Sequence, residues 1–474
     1  MPQPNILFIL IDDLGARDLG CYGSTFNETP HLDRLAADGL RCERAYASCT
    51  VCSPTRASIM SGKYPARVGI TQFIGGKNSG RLLDVPYLHY LPLSETSLAS
   101  ALREGGYQTW HIGKWHLGDE AFHPDCHGFD VNIGGCHWGH PYNGFQAPWG
   151  IPTLDEQPEG TWLTRHLTDR AIELIRQRDS ERPFFMHLSH YAVHTPIQAP
   201  PELVEKYRAK ARALGLDQID PMSECGTISF GDRYGKTMRR RVLQSHPVYA
   251  AMIEELDTEI GRLLQALDDA GLLNDTLVVY TSDNGGECSS GGGAPTCNLP
   301  LAEGKGWARE GGTRVCQMLR WPGHIAPGSS SSTPMISCDF YPSLLHAAGL
   351  PQRPEQHVDG VDLCSHWQQG AAVERDALFW HYPHYSNQGD TPHASMLSGC
   401  GRWKFIWHFA DDVLRLFDLH ADPSESRDCA AEHPERVRVM HRRLQDWQEE
   451  VCARMPEPNP DWHPQPEVPN NAHE

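Results

Sequence analysis

The chain has 474 residues, 39% of them hydrophobic and 21% charged, with a formal net charge of −19. That length suggests one large domain plus a smaller one. No apolar run reaches the roughly 18 residues of a membrane span, and so acidic a chain argues against nucleic acid or an anionic membrane as partner, since both need clustered Lys and Arg.

The fifteen cysteines are odd in number and irregularly spaced, which excludes a complete disulfide framework. Met1-Pro2-Gln3-Pro4 leads straight into an apolar run. As written the chain reads as cytoplasmic with reduced thiols, or as periplasmic or secreted if a leader has been removed. Asn5–Ile11 is a continuous apolar run, the pattern of a parallel strand buried on both faces, and it stops at Asp12-Asp13. Cys52-Ser53-Pro54-Thr55-Arg56 opens the next segment as a helix start, with Pro54 expected at the first helical position. The free N–H groups there place Cys52 where an anion would be held.

Three further strands are predicted at 109–112, 183–188 and 276–281. The first ends in Gly113-Lys114-Trp115-His116, the second runs on to Ser189, His190 and His194-Thr195-Pro196, and the third ends in Asp283-Asn284-Gly285. Met252, Leu256, Ile260, Leu263 and Leu267 recur at helical spacing until Gly271 closes that helix. Strands alternating with helices predict an α/β fold with a large, mostly parallel (mixed) sheet sandwiched by helices, filling residues 1–370. Residues 371–455 read as short β segments at 377–382, 395–397, 403–407 and 414–419, followed by an amphipathic helix at 435–451: a smaller antiparallel sheet plus helix. Residues 456–474 form a Pro-rich tail, disordered or wrapped on the surface as an arm.

Every polar cluster just named follows a strand, and ligands bind at the carboxyl ends of such strands. Asp12, Asp13, Asp283 and Asn284 offer hard oxygen donors, which suits Ca²⁺, or Mg²⁺, over a thiophilic metal. Lys114 and His116 are two apart and would share a face if extended. His194, Lys305 in the Gly-rich stretch Glu303-Gly304-Lys305-Gly306, and Arg56 complete a local cationic pocket for an anionic substrate. A phosphatase-type thiolate needs its Arg six residues on, whereas Arg56 is four on. Cys49-Thr50-Val51-Cys52 has no second half-site to complete a zinc site. The histidine-rich segment 134–141, with His137, and the run His187, His190, His194 supply groups able to hydrogen-bond sugar hydroxyls; His137 and His190 are the candidate substrate contacts. Residues 84–92 and 200–247 are expected to wall the pocket.

The C-x-P-x-R pattern at Cys52 and the segments 5–13, 113–118, 194–196, 281–285 and 303–315 resemble the type I sulfatases of the alkaline phosphatase superfamily, of the arylsulfatase A and N-acetylgalactosamine-6-sulfatase kind. The C-terminal stretch Leu416-Phe417-Asp418-Leu419 with Asp422-Pro423 and Glu425 extends the likeness. The resemblance implies an alkaline-phosphatase-like fold and a maturing enzyme that oxidises Cys52 to formylglycine. Asp12, Asp13, Asp283, Asn284 and the modified Cys52 would then be metal ligands. It also implies that Arg56 and Lys114 steady residue 52, while His116, His194 and Lys305 handle sulfate and protons during removal of sulfate from an alcohol ester, a sulfated sugar of galactose or N-acetylgalactosamine type. Cys49, a thiol beside the maturation cysteine, departs from the pattern. The alternatives are a phosphonate or phosphate ester hydrolase of the same superfamily and a non-matured protein that binds sulfated glycans.

Overall fold

The computed structural model describes residues 3–289 and 293–463. Its strands, in chain order, are β1 (Asn5–Ile11), β2 (Leu40–Tyr46), β3 (Gln108–Gly113), β4 (Val131–Ile133), β5 (Phe184–Ser189), β6 (Met222–Thr227), β7 (Thr237–Arg241), β8 (Thr276–Ser282), β9 (Arg314–Arg320), β10 (Ser329–Ser331), β11 (Met335–Ile336), β12 (Ala377–Tyr382), β13 (His393–Ser398), β14 (Trp403–His408) and β15 (Val413–Asp418). A nine-stranded sheet runs in the order β10-β2-β9-β8-β1-β5-β3-β4, with β11 alongside β2. β9 alone opposes the others, pairing antiparallel with both β2 and β8, so the sheet is mixed but mostly parallel.

Alternation along β1 explains why this strand reads as apolar throughout. Leu7, Ile9 and Ile11 face one core, with Leu167 and Ile175 of the Leu163–Gln177 helix and Leu256 and Ile260 of the Pro247–Asp269 helix. Ile6, Phe8 and Leu10 face the other, with Ile59 of the Cys52–Ser61 helix and Leu344 of the Phe340–Ala347 helix. With helices on both faces, no residue of β1 beyond the half-buried Asn5 can be polar without an unpaired buried group.

The register then builds a floor. Strands β8, β1, β5 and β3 are consecutive neighbours and parallel. Their carboxyl ends set Asp283, Asp12, Ser189 and Lys114 side by side at strand spacing.

β12–β15 form the expected antiparallel meander, covered by the Pro434–Glu450 helix through Met440, Leu444 and Trp447. Tyr46 and Ile336 of the large sheet share that core. A buried ion pair between Lys404 Nζ and Glu310 Oε1, 2.9 Å apart, also ties β14 to the short helix turn that leads into β9. Several strands escape the sequence reading, among them the short β4, β10 and β11. β2 and β9 extend the large sheet, and β6–β7 is a separate two-stranded hairpin, polar and mostly exposed, within the stretch read only as a pocket wall. The last described residues take the arm form: Leu83 donates its N–H to Glu457 O (2.8 Å) and Asn459 to Arg81 O (2.9 Å). The rest of the tail, 464–474, lies outside the described residues.

Candidate active site

Cys52 is the first residue of its helix, and Val51 stands in the N-cap position. Pro54 therefore occupies the third helical position, not the first. It is tolerated because the first turn's N–H groups have no intrahelical acceptor in any case. Cys52 Sγ lies 3.5 Å from Asp12 Oδ1 and 3.9 Å from Asp13 Oδ1, and burial drives its thiol far above the ordinary range. Cys49 lies buried against Tyr382 and Val51, its thiol pushed up to about 12 by burial.

Three cations are clamped to three carboxylates around this sulfur. Lys114 Nζ is 2.7 Å from Asp12 Oδ2, and Lys305 Nζ is 2.7 Å from Asp13 Oδ2. Arg56 meets Asp283 Oδ2 through Nε (2.8 Å) and Nη2 (2.7 Å), while its Nη1 donates to Lys114 O and to Ser189 Oγ. Burial opposes the charge on Arg56, but Asp283 and Asp12 outweigh it and raise its pKa. Asp12 is pushed up to about 7, chiefly by burial and then by the neighbouring Asp283 and Asp13. Burial works in the same direction on Asp13, yet Lys305 and His194 hold it below the usual carboxylate range.

The Lys114–His116 segment is not extended as the sequence suggested. Gly113 has φ +94°, a backbone only glycine takes easily, and a Cβ there would lie 2.0 Å from Ser189 O. His116 has φ +57°, and Asp13 and Glu303 are likewise at positive φ. Non-glycine residues in this region carry strain that the surrounding fold must hold, and three of them border one site. The turn sends Lys114 inward to Asp12 and His116 into the cavity.

His116 Nε2 lies 3.2 Å from Ile74 O, which assigns its proton to that nitrogen; Nδ1 is buried with no hydrogen-bond partner. His194 Nδ1 lies 2.9 Å from Thr195 O, and its Nε2 accepts from Lys305 Nζ at 3.2 Å. Burial, then Lys114 for His116 and Lys305 for His194, pushes both imidazoles well below their ordinary pKa, so both are neutral.

The donor set fits a hard divalent cation. Ligand atoms of Asp12, Asp13, Cys52 and His194 lie within 4.8 Å of one another. Asn284 donates through Nδ2 to Asp13 Oδ1 (2.8 Å), and its Oδ1 is a buried acceptor with no partner. Three carboxylates balance three protein cations here, so an added divalent ion would leave positive charge free for an anion.

These groups floor a cavity of about 960 Å³. Cys52, His116, His194 and Lys305 line it, together with His137. His190 does not. It is fully buried with both ring nitrogens unpartnered, and its backbone continues the β5 ladder by donating to Leu10 O, so its side chain belongs to the interior. His187 is also interior, its Nδ1 2.9 Å from His111 Nδ1. Of residues 84–92, none lines the main cavity; His89 and Tyr90 line a smaller neighbour. The 200–247 stretch does wall it, through Phe230, Gly231 and Arg233.

Sequence reasoning missed Ser189, His140, whose ring stacks on His194 at 5.5 Å, and Gln388, which bonds Glu287 at 3.0 Å in the cavity wall. His140 lay within the histidine-rich segment and could have been singled out there. Gln388 carried no local signal.

A buried cysteine at a helix start, set among carboxylates and cations at the carboxyl edge of a mixed α/β sheet, is an arrangement suited to hydrolysis of an anionic ester. A family model described as Sulfatase matches residues 4–350, so the chain belongs to the sulfatase family and is a sulfuric ester hydrolase. A second model, N-sulphoglucosamine sulphohydrolase C-terminal, matches residues 304–450. Among curated relatives, N-acetylgalactosamine-6-sulfatase of Homo sapiens is 32% identical over 84% of this chain and 70% of its own. Arylsulfatase A of Homo sapiens is 31% identical over 89% and 78%. The crystal structure of Ps i-CgsB in complex with k-i-k-neocarrahexaose is 26% identical, with TM-score 0.75 over 98% of this chain and 95% of that one. The phosphonate monoester hydrolase of Agrobacterium radiobacter, at 23% identity and TM-score 0.65, shares the fold.

Proposed function

We propose that this sulfatase removes sulfate from a sulfated sugar, of galactose or N-acetylgalactosamine type, after a maturing enzyme converts Cys52 to formylglycine. The observation that carries the reading is Cys52 itself: a buried thiol at a helix start, within 4 Å of two carboxylates, facing a cavity lined by His116, His194 and Lys305. Kinship to N-acetylgalactosamine-6-sulfatases, and a neighbour of the same fold solved in complex with k-i-k-neocarrahexaose, support the sugar class.

Asp12, Asp13, Asp283 and Asn284 would hold the cation, for which Ca²⁺ suits the oxygen donors best. When bound, the cation neutralises sulfate oxygens, and the matured residue 52 supplies the attacking hydroxyl. The chain's own groups do the rest. Arg56, held at three points by Asp283, Ser189 and the Lys114 carbonyl, cannot swing away and keeps its charge beside residue 52. Lys114 and Lys305 add preorganised positive charge where negative charge gathers on the sulfuryl group. Lys305 Nζ, in contact with His194 Nε2, is the proton store on the side of the departing oxygen, and His194 passes the proton. His116 offers the unpartnered Nδ1 lone pair as base.

Turnover of sulfated mono- and disaccharides, read by chromatography beside nitrophenyl sulfate, nitrophenyl phosphate and phenylphosphonate esters, tests the assignment. Preference for a galactose or N-acetylgalactosamine sulfate is expected. Faster turnover of phosphonate or phosphate esters would overturn it.

A further inference from the structure

The main cavity has a neighbour of about 290 Å³, and the two share Phe230 and Gly231 as common wall. The neighbour's chemistry differs from that of the sulfate floor. It is lined by the half-buried rings of Tyr234 and Trp462, with Ser79, Asp461 and His463. Among the described residues, no lysine or arginine lines it.

Its walls come from three distant segments that the fold ties together. The loop between β6 and β7 brings Tyr234, whose N–H donates to Gly231 O at 3.1 Å. The arm after the last helix brings Asp461 and Trp462, anchored by Asn459 Nδ2 on Gly80 O (2.9 Å) and by the Trp462 N–H on Asn459 O (3.2 Å). Arg233, on the main-cavity side, donates to the backbone carbonyl of Asn387 and closes the loop against the C-terminal sheet.

Aromatic rings beside a carboxylate, an imidazole and a hydroxyl match a sugar ring, which is apolar on its C–H faces and rich in donors at its edge. A carboxylate here repels sulfate and accepts from hydroxyls, so this cavity selects an unsulfated unit. We infer that it is a second sugar subsite, holding the residue next to the sulfated one, and that the natural substrate is an oligosaccharide. This rests on the sugar-sulfatase reading above and deepens it.

The test uses the matured full chain and steady-state kinetics on a sulfated monosaccharide, the matching sulfated tetrasaccharide and nitrophenyl sulfate. Wild type should favour the tetrasaccharide over the monosaccharide by about tenfold in kcat/KM, carried by KM. Trp462→Ala and, independently, Tyr234→Ala should erase most of that advantage, yet leave nitrophenyl sulfate within about twofold of wild type, which also reports an intact fold. A wild type indifferent to chain length, variants that keep the advantage, or losses equal on all three substrates would each overturn the subsite. Nitrophenyl turnover with no sugar sulfate cleaved would overturn the sugar reading itself, and this inference with it.

Discussion

Lys305 Nζ lies 3.2 Å from His194 Nε2 and 2.7 Å from Asp13 Oδ2, so one ammonium joins the acidic cluster to the imidazole that faces the cavity. An ammonium only donates; His194 must therefore present a lone pair at Nε2 and keep its own proton on Nδ1, toward Thr195 O. In the proposed reaction the two residues act as a single proton-delivery unit.

Groups that act as a unit are not additive. His194→Ala and Lys305→Ala should each depress turnover of sugar sulfates by more than about a hundredfold, and the double variant should lose little beyond either single one. Nitrophenyl sulfate, whose leaving group departs without a proton, should suffer less. A double variant whose losses multiply would separate the two residues.

His116 should act at a different step. If its free Nδ1 serves as the base that clears sulfate, His116→Ala should show a burst and then a stall. The peptide containing residue 52 should then gain about 80 Da, one SO₃ group. Steady slow turnover with no mass gain would remove His116 from that role.

Cys52→Ala should abolish activity without unfolding the chain, because its sulfur borders the cavity and packs into neither large core. In active enzyme the same peptide should be about 18 Da lighter than the unmodified sequence, the arithmetic of cysteine becoming an aldehyde. Activity at the unmodified mass would reject formylglycine.

Removing metal should remove activity, and Ca²⁺ or Mg²⁺ should restore it. Binding to the native state alone should also raise Tm, by about 2.7 kcal/mol of stabilisation at a hundred times Kd. Asp283→Ala leaves Arg56 without its closest carboxylate partner and should abolish the Ca²⁺-dependent Tm shift. Full activity with no bound metal after chelation would refute the cation site.

Asp257 supplies a pH test away from the site. It accepts the N–H groups of Leu32 (2.8 Å) and His31 (3.2 Å), and burial raises its pKa from 3.8 to about 6. Between those values the folded state keeps a proton that the unfolded chain has lost. This group's contribution to stability therefore falls as pH rises through the window and is level above it. Asp257→Asn removes that titration, so its Tm relative to wild type should improve from about pH 4 to about pH 6 and then stay constant. A difference independent of pH would disprove the shift.

Much of the fold was legible because its elements are locally determined. β1, β5, β8 and β12 read as strands because both faces are buried and apolar residues dominate them. The Pro247–Asp269 helix read clearly from its three-to-four spacing. β2 and β9 escaped because Arg41, Glu43, Arg44, Arg314 and Arg320 break their apolar pattern. The β6–β7 hairpin escaped because its strands are mostly exposed and bury little.

The chemistry of the site was also in the sequence. Asp12, Asp13, Cys52, Arg56, Lys114, His116, Asp283, Asn284 and Lys305 each follow a strand, open a helix or sit in a glycine-rich loop, and such positions are set by neighbours along the chain. Which histidines face the cavity was decided only by the tertiary structure. His190 turns into the interior while His140, fifty residues away, stacks on His194, because side-chain direction depends on strand register and loop packing. The second sugar cavity is likewise a tertiary product. Ser79, Tyr234 and Trp462 share nothing in sequence and meet only because the C-terminal arm is hydrogen-bonded back across residues 80–83.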